Sequence, residues 1–397
     1  MRRAPTLLTL LLFLVVALSP CCVEEGAMVQ IEYVPQSDQA IDCGIAGIAM
    51  LIKHACPEVG YGEIVSSLAM PCTCSYIPGS LASQATWLWD EDYAFQASLY
   101  GLEYVSSPHQ GNATGAHYDE YLREIKDSID QGVPVMIGGW DLYYDKFYLD
   151  RLEGWGLGPG QAGHNIVVVG YDREGIHYLD PGAVVNQRDE IGNVTFFQRY
   201  DDFRLAVTSL PGPGTLHYCI YEKVGDPLPE DERSRLIRAR NLAKFYGDPE
   251  AYDQVYAEAY RHSAFGSEAL EALRQDLEPN NLSQILSQRK THLKEGFLAS
   301  SLGVGSVRYM CYTNAWAAGW GSAYYEETGD EEGAAMMADL SARFREGDAL
   351  FTEIIQAYDR EGSWNPDDLS QLQTTVEEID RLYAALQEED DPLRSSE

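Results

Sequence analysis

Residues 43–55 read CGIAGIAMLIKHA, an apolar run interrupted only by small residues until its last turn. A run of this length is long for a strand and predicts a buried helix. Cys43 is its first residue, and a thiol at the start of a helix lies at the positive end of the helix dipole, which favours the thiolate. Gly44 leaves room beside that sulfur for the backbone of a substrate. The stretch therefore predicts a helix that presents a reactive cysteine.

The residues that follow predict one more helix and then a series of short strands. Residues 119–131 have the amphipathic pattern of a helix and end at Gly132, a common residue just after a helix. Short apolar segments between turn residues predict strands at residues 133–138, 165–170, 176–179, 194–200 and 217–221. A helix followed by mostly antiparallel strands indicates an α+β fold.

Two stretches between these elements, residues 82–104 and 140–163, are rich in Tyr, Trp and Gly. We predict that both are irregular but ordered, because long loops in compact domains are usually functional or disordered, and aromatic residues argue against disorder. The second stretch ends directly before His164. Its aromatic side chains are expected either to line a substrate cleft or to pack in the core.

His164 and Asp180 supply the chemistry that a cysteine nucleophile requires. A thiol nucleophile needs a base, and the base needs an acceptor that orients it. His164 opens one predicted strand, and Asp180 closes the strand that returns beside it. Their side chains share a face of this hairpin if its turn is bulged at Gly175, but not if the turn is a plain two-residue turn.

From residue 226 the pattern becomes helical almost to the C-terminus. Pro227-Leu228-Pro229 is typical of a linker, and apolar residues then recur at helical spacing, for example over residues 230–246 and 332–358. We predict four parts, namely a leader at residues 1–22, an α+β domain at 28–225, a helical domain at 226–387 and an acidic disordered tail at 388–397.

The N-terminus has the features of a targeting segment. Arg2 and Arg3 precede an apolar run at residues 7–18, which is short for a membrane span. We predict an exported protein, secreted or associated with the cell envelope, that contacts a membrane only through this leader or through a lipid anchor at Cys21 or Cys22. The formal net charge of −34 disfavours binding to nucleic acid.

Six cysteines lie outside the leader. If Cys43 is a free thiol, Cys56 with Cys72 or Cys74 is the nearest candidate for a disulfide, which export would permit. The cysteine and histidine spacing matches no zinc site. Three carboxylates fit no calcium loop and are predicted to be solvated, namely Asp141, Asp145 and Asp150. We predict no metal and no cofactor.

Four segments resemble the papain-like peptidases that cut double-glycine leader peptides from bacteriocins. They are QSDQAIDCGIAGIAM at residues 36–50, GVPV at 132–135, HNIVVVGYD at 164–172 and LDP at 179–181. The resemblance implies a papain-like domain that acts on a peptide or amide substrate. Carried over by position, it implies that Cys43 is the nucleophile, His164 the base and Asp180 the residue that orients the base.

An oxyanion site would need a second donor besides the backbone N–H of Cys43. In this family a glutamine stands six residues before the cysteine, and this chain has Ser37 there. We assign the role to Gln36, which follows Val-Pro as in many family members, with Gln39 as the alternative.

A second resemblance leaves the reaction open. The acyltransferase of butirosin biosynthesis has a similar cysteine domain followed by helices, and phytochelatin synthases use the same type of triad for peptidyl transfer. All of these enzymes pass through a thioester, so water and an amine are both possible acceptors. The resemblance therefore implies an exported thiol hydrolase, with a thiol acyl- or peptidyl-transferase and an inactive cell-surface binding protein as alternatives.

Overall fold

A computed structural model describes residues 26–37, 42–83, 88, 90–109, 111, 115–154, 156–186, 194–210, 215–246, 263–292 and 306–389. The predicted leader, including Cys21 and Cys22, and the alternative oxyanion residue Gln39 lie outside the described residues. The α+β prediction is confirmed: an antiparallel sheet with helices is followed by a C-terminal helical region. Within the described residues, no helix is both long enough and apolar enough to cross a bilayer.

The helices and strands have the following bounds. The helices are α1 Cys43–Ala55, α2 Tyr61–Ser67, α3 Asp90–Leu99, α4 Gly115–Asp130, α5 Lys146–Gly154, α6 Tyr200–Thr208, α7 Glu230–Tyr246, α8 Gly266–Asp276, α9 Pro279–His292, α10 Val307–Glu327, α11 Glu331–Glu361 and α12 Pro366–Glu389. The strands are β1 Ala27–Met28, β2 Ser75–Tyr76, β3 Leu102–Ser106, β4 Val135–Asp141, β5 Gly163–Tyr171, β6 Gly175–Leu179, β7 Thr195–Arg199, β8 His217–Lys223 and β9 Ala264–Phe265.

The described residues divide into two compact units, and each is built from two segments of the chain. The first unit takes its residues from 1–35 and 106–220, and the second from 36–105 and 221–397. The division predicted near Gly225 stays a prediction. In the structure, α1 and α2 belong to the same unit as the C-terminal helices.

The first unit is organised around an antiparallel sheet in the order β8–β4–β5–β6–β7, with β1 paired to the end of β5. β5 contains the buried run from Ile166 to Val169, whose β-branched side chains favour a strand. The turn to β6 is a plain one, in which Asp172 Oδ1 accepts hydrogen bonds from the backbone N–H groups of Glu174 and Gly175.

The bulge that sets the hairpin register lies in β5 and not at Gly175, the position that the sequence left open as one of two alternatives. Val168 pairs with Tyr178 and Gly170 pairs with His177, so β5 has one extra residue between those pairs. Beyond this extra residue, on the side away from the turn, each β5 residue pairs with a β6 residue one position away from the partner that an unbulged hairpin would give it. As a result, even-numbered residues of β5 and β6 share a face in that part of the hairpin. His164 and Asp180 therefore lie on the same face.

Both stretches predicted to be irregular contain regular structure, so that prediction is wrong. Residues 82–104 include α3, whose first turn carries three acidic residues that favour a helix N-terminus. Residues 140–163 include the end of β4 and the helix α5, which buries Tyr148 and Leu152 on one face. The Gly, Trp and Tyr residues around these elements obscured their periodicity.

The second unit has a helical core around α10, α11 and α12. Its largest buried side chains include Phe344, Phe351 and Tyr383, and the Tyr383 ring stacks on Phe245 with 3.8 Å between centroids. Small residues permit close helix contacts: a Cβ added at Gly321 would lie 3.4 Å from Met337 Sδ. The predicted helices at residues 230–246 and 332–358 correspond to α7 and α11.

Candidate active site

His164 and Asp180 form a buried hydrogen-bonded pair in the first unit. His164 lies near the start of β5, and Asp180 directly follows β6. His164 Nε2 donates to Asp180 Oδ1 at 2.7 Å. The side chain of His164 is 9% exposed and that of Asp180 is fully buried. The pair has the geometry by which a carboxylate orients an imidazole.

Other groups hold the Asp180 carboxylate in place. The Tyr148 hydroxyl donates to Asp180 Oδ2 at 2.7 Å, and the backbone N–H of Gly182 donates to Oδ1 at 2.8 Å. The Tyr33 hydroxyl donates to the backbone oxygen of Asp180 at 3.0 Å. Because donors engage both carboxylate oxygens, the carboxylate is fixed and its anionic form is stabilised.

Tyr148 was not recognised from the sequence because it lies in α5, within a stretch predicted to be irregular. Its ring centroid is 6.1 Å from that of His164, so it lies beside the imidazole as well as the carboxylate. The spacing of Tyr148 and Leu152, one helical turn apart, is the signal that indicates a buried helix face. The stretch before His164 thus supplies a group that contacts the pair.

The hydrogen bond to Asp180 also determines which imidazole nitrogen can act as a base. With its proton on Nε2 and directed at the carboxylate, the neutral His164 ring has its lone pair on Nδ1. A proton taken up at Nδ1 gives an imidazolium that the Asp180 anion stabilises. This tautomer is assigned from the hydrogen bond.

Cys43 lies in the second unit, where it is the first residue of α1 and 7% exposed. The predicted helix at residues 43–55 is confirmed with the same bounds. No acidic residue lies in the first turn of α1, so the partial positive charge of the helix N-terminus is not offset from within the helix. Gln36 belongs to the same unit and is half-buried.

Aromatic side chains of the C-terminal helices lie close to the start of α1. Asp42 directly precedes Cys43, and its Oδ2 accepts a hydrogen bond from the hydroxyl of Tyr61 in α2 at 3.2 Å. The Tyr61 ring makes edge contacts with Trp316 and Trp320 of α10, with centroids 6.4 Å and 4.9 Å away. The C-terminal helices therefore contribute to the surroundings of Cys43.

The remaining cysteines are buried free thiols, so the disulfide considered for Cys56 with Cys72 or Cys74 is wrong. Cys56 Sγ instead donates to the backbone oxygen of Tyr100 at 3.5 Å. Burial raises the pKa of Cys74 to about 12 and also raises the pKa of Cys56, Cys72 and Cys311. These four thiols are therefore held in their neutral form.

Two of the three carboxylates considered for calcium are buried, so the prediction that all three are solvated is wrong. Asp141 accepts from the Ser209 hydroxyl at 2.6 Å and from the backbone of Gly160 at 2.7 Å. Asp145 accepts from the Tyr178 hydroxyl at 2.8 Å. Asp150 is exposed. Among the described residues, no group of three or more acidic, cysteine or histidine side chains has a metal-binding arrangement.

The structure brings His164 and Asp180 together in the first unit and places Gln36 and Cys43 in the second. No curated protein matches the chain. Residues 28–205, a little under half of the chain, match the model of the family described as Peptidase_C39 like family. This match includes Cys43, His164 and Asp180. It supports a C39-like domain, of papain-like peptidase type, in this part of the chain.

Proposed function

We propose that this protein is an exported thiol hydrolase that cleaves peptide or amide bonds through Cys43, His164 and Asp180. The observation that carries the proposal is the buried hydrogen bond between His164 and Asp180, within a region that matches a peptidase family. A histidine oriented by a carboxylate is what a thiol nucleophile needs as its base. The position of Cys43 at the start of α1 adds a helix dipole that favours the thiolate.

The proposed reaction has two steps through one thioester. His164 Nδ1 takes the proton of the Cys43 thiol, and the sulfur attacks the carbonyl carbon of the substrate. The backbone N–H of Cys43 and the side chain of Gln36 stabilise the oxyanion. The imidazolium then gives its proton to the leaving amine as the C–N bond breaks. Water attacks the thioester with His164 as its base, which releases a carboxylic acid and restores the thiol.

Asp180 contributes without touching the substrate. Its carboxylate keeps the Nε2 proton in place and stabilises the imidazolium that forms in each step. The thiol, the imidazole and water supply the nucleophile, the base and the acceptor, so the proposed chemistry uses no cofactor. Export through the leader at residues 1–22 would separate such an enzyme from cytosolic acyl carriers, which favours water over a carrier-dependent transfer.

The first experiment asks whether the full chain has a reactive Cys43 and what accepts the acyl group. The chain is labelled with iodoacetamide, and it is incubated with a mixture of synthetic peptides in water enriched in oxygen-18. We expect selective alkylation of Cys43 and products that carry one heavy oxygen. Cys43→Ala is expected to lose activity about 10³-fold or more, while Cys56→Ala, the loss of another buried thiol, retains it.

Other outcomes of this experiment support the alternatives. Products joined to an added amine, without heavy oxygen, would indicate a transferase. Activity that survives in Cys43→Ala would contradict the proposed nucleophile. The absence of both labelling at Cys43 and peptide cleavage would leave the binding protein as the better account.

Tyr148→Phe tests the support of the base. It removes the hydroxyl that donates to Asp180 Oδ2 and keeps the ring that packs beside His164. A hydrogen bond to a charged group is worth about 1.5–3 kcal/mol, so we expect kcat/KM for peptide cleavage to fall about tenfold. Tyr143→Phe is the matched control, because the Tyr143 hydroxyl donates to the exposed carboxylate of Glu153. Equal activities of the two variants would contradict a supporting role for Tyr148.

A further inference from the structure

Asp42 precedes the nucleophile and occupies the N-cap position of α1, yet its side chain caps no backbone N–H of that helix. Its Oδ2 accepts instead from the backbone N–H of Ser37 at 3.0 Å and from the Tyr61 hydroxyl at 3.2 Å. The residue is 3% exposed. The carboxylate is therefore buried, and it accepts hydrogen bonds from Ser37 and Tyr61 where an N-cap residue usually accepts them from the helix.

The ordinary explanation for an aspartate at this position does not apply. Aspartate is favoured at the N-cap because its carboxylate accepts hydrogen bonds from the first turn of the helix. Here those bonds are not made. Burial of a carboxylate directly before a thiol also disfavours the thiolate, since two negative charges repel. An arrangement that provides no cap and opposes the thiolate calls for a different reason.

The partners of Asp42 supply that reason. Ser37 follows Gln36, the residue assigned to the oxyanion site, so a bond at the Ser37 backbone fixes the chain beside Gln36. Tyr61 connects the same carboxylate to α2. An oxyanion donor contributes to catalysis only if it is held in position before the reaction begins. Asp42 connects three parts of the second unit at the point where that donor would act.

We propose that Asp42 is a positioning residue of the thiol site, whose carboxylate ties the segment that carries Gln36, and α2 through Tyr61, to the first turn of the helix that carries Cys43. This inference rests on the proposed function. Asp42 acts through Gln36 and Cys43 and need not contact the substrate.

The charge of Asp42 provides a readout that a purely structural role would not affect. Burial raises the pKa of Asp42, and its hydrogen bonds with Ser37 and Tyr61 oppose that rise. In this unit the neighbouring titratable groups are Cys43, Tyr61 of α2 and Tyr309 of α10. Burial raises the pKa of both phenols above the ordinary value, so they are neutral near pH 7. Of these groups, Asp42 is therefore the one whose negative charge would disfavour a thiolate at Cys43.

The experiment measures the rate of Cys43 alkylation by iodoacetamide against pH, with the modified peptide quantified by mass spectrometry. In Asp42→Asn, the amide oxygen can replace Oδ2 and still accept from Ser37 and Tyr61. The amide nitrogen then replaces Oδ1, for which the described residues provide no hydrogen-bond partner. We expect the midpoint of the rate profile to fall by about one pH unit, because the adjacent negative charge is lost. Asp42→Ala removes the charge and the acceptor together, so its midpoint should fall as well.

The two variants differ in whether the Ser37 backbone N–H keeps its acceptor, and the rate of peptide hydrolysis measures the effect of that difference. Asp42→Ala is expected to have a kcat for peptide cleavage about tenfold below that of Asp42→Asn, with similar KM, because only alanine releases Ser37. Asp276→Asn is the matched control: Asp276 Oδ2 also accepts from a tyrosine hydroxyl, Tyr76, and from a backbone N–H, but it lies in α8. This control should move neither the midpoint nor kcat.

Each result bears on one of the two proposals. Equal kcat values for the two Asp42 variants would overturn the positioning role, and an unchanged midpoint in both variants would overturn the placement of a charged Asp42 beside the Cys43 thiol. Alkylation of Cys43 in the unmodified chain that shows no pH midpoint would instead count against the proposed nucleophile itself. Because alkylation does not depend on peptide cleavage, the two failures are distinguishable.

Discussion

Replacing Asp180 by alanine is expected to lower kcat/KM for peptide cleavage about 10³–10⁴-fold, whereas asparagine at this position is expected to lower it much less, because it can keep the acceptor for His164 Nε2. Alanine removes the Asp180 oxygen that accepts from the buried His164 Nε2, which costs free energy and frees the ring to rotate. Steady-state kinetics with the peptide mixture, beside thermal unfolding to verify the fold, measures both effects.

The tolerance of asparagine follows from the donors around Asp180. Oδ1 accepts from His164 Nε2 and from the Gly182 backbone, and Oδ2 accepts from the Tyr148 hydroxyl. An asparagine oxygen in the Oδ1 position keeps both N–H donors. Its amide nitrogen can donate to the Tyr148 hydroxyl, which can rotate to accept. Nε2 then keeps its proton and Nδ1 remains the base, so only the charge of the third residue is lost.

The same hairpin contains a matched control. His177 Nε2 donates to Asp172 Oδ2 at 2.9 Å, and the side chains of this pair are 27% and 43% exposed. His177→Gln is expected to change kcat/KM by no more than about twofold, as befits an exposed pair. If Asp180→Ala kept more than about a tenth of the activity, the buried pair would not be the base-orienting pair of the reaction.

The largest effect on stability is expected for Asp92→Ala. Asp92 of α3 is buried and accepts from Lys244 Nζ and from Arg240 at 2.8 Å, both in α7. Its removal takes away the carboxylate that pairs with the buried Lys244, and breaking a buried ion pair typically costs about 3–5 kcal/mol. Urea unfolding measures the loss. Glu361→Ala, which removes an exposed partner of Arg360, is the control and should cost less than about 1 kcal/mol.

The pH dependence of stability gives an independent test of the same pair. Burial lowers the pKa of Lys244 from 10.5 to about 8, although Asp92 opposes the shift. Between those values the unfolded chain binds more protons than the folded chain, so the contribution of Lys244 to the free energy of unfolding rises with pH in that window.

A double variant separates an unpaired charge from lost packing. Asp92→Ala with Lys244→Met should recover most of the stability, because the buried ammonium is removed together with the carboxylate that pairs with it. An Asp92→Ala variant that loses less than about 1 kcal/mol would contradict the assignment of this pair as a buried one.

Much of the candidate site could be predicted from the sequence. The apolar run at residues 43–55 is long for a strand and predicts a helix, and the observed helix α1 has the same bounds. His164 and Asp180 lie at the outer ends of two apolar segments that are joined by a short turn. If the two segments pair as a hairpin, these outer ends lie side by side. Their common face depended on a bulge, and the sequence could not reveal that the bulge lies beside Gly170 and not at Gly175.

The remaining features depend on contacts between residues that are distant in sequence. The role of Tyr148 follows from a contact with Asp180, a residue in a different element, and no local pattern specifies it. Asp42 has the sequence signature of a helix cap, and only the structure shows that its carboxylate accepts from Ser37 and Tyr61. The two-segment make-up of each unit likewise results from packing at long range.

The route of the chain between the two units has a consequence for the timing of folding. Tyr61 of α2 packs on Trp320 of α10, and the residues between them include nearly all of the sheet. At a synthesis rate of about 5–20 residues per second, α2 leaves the ribosome roughly 10–50 s before α10. Contacts so distant in sequence also form slowly. We therefore expect the surroundings of Cys43 to be completed only after α10 has been synthesised, so that the proposed activity cannot begin before then.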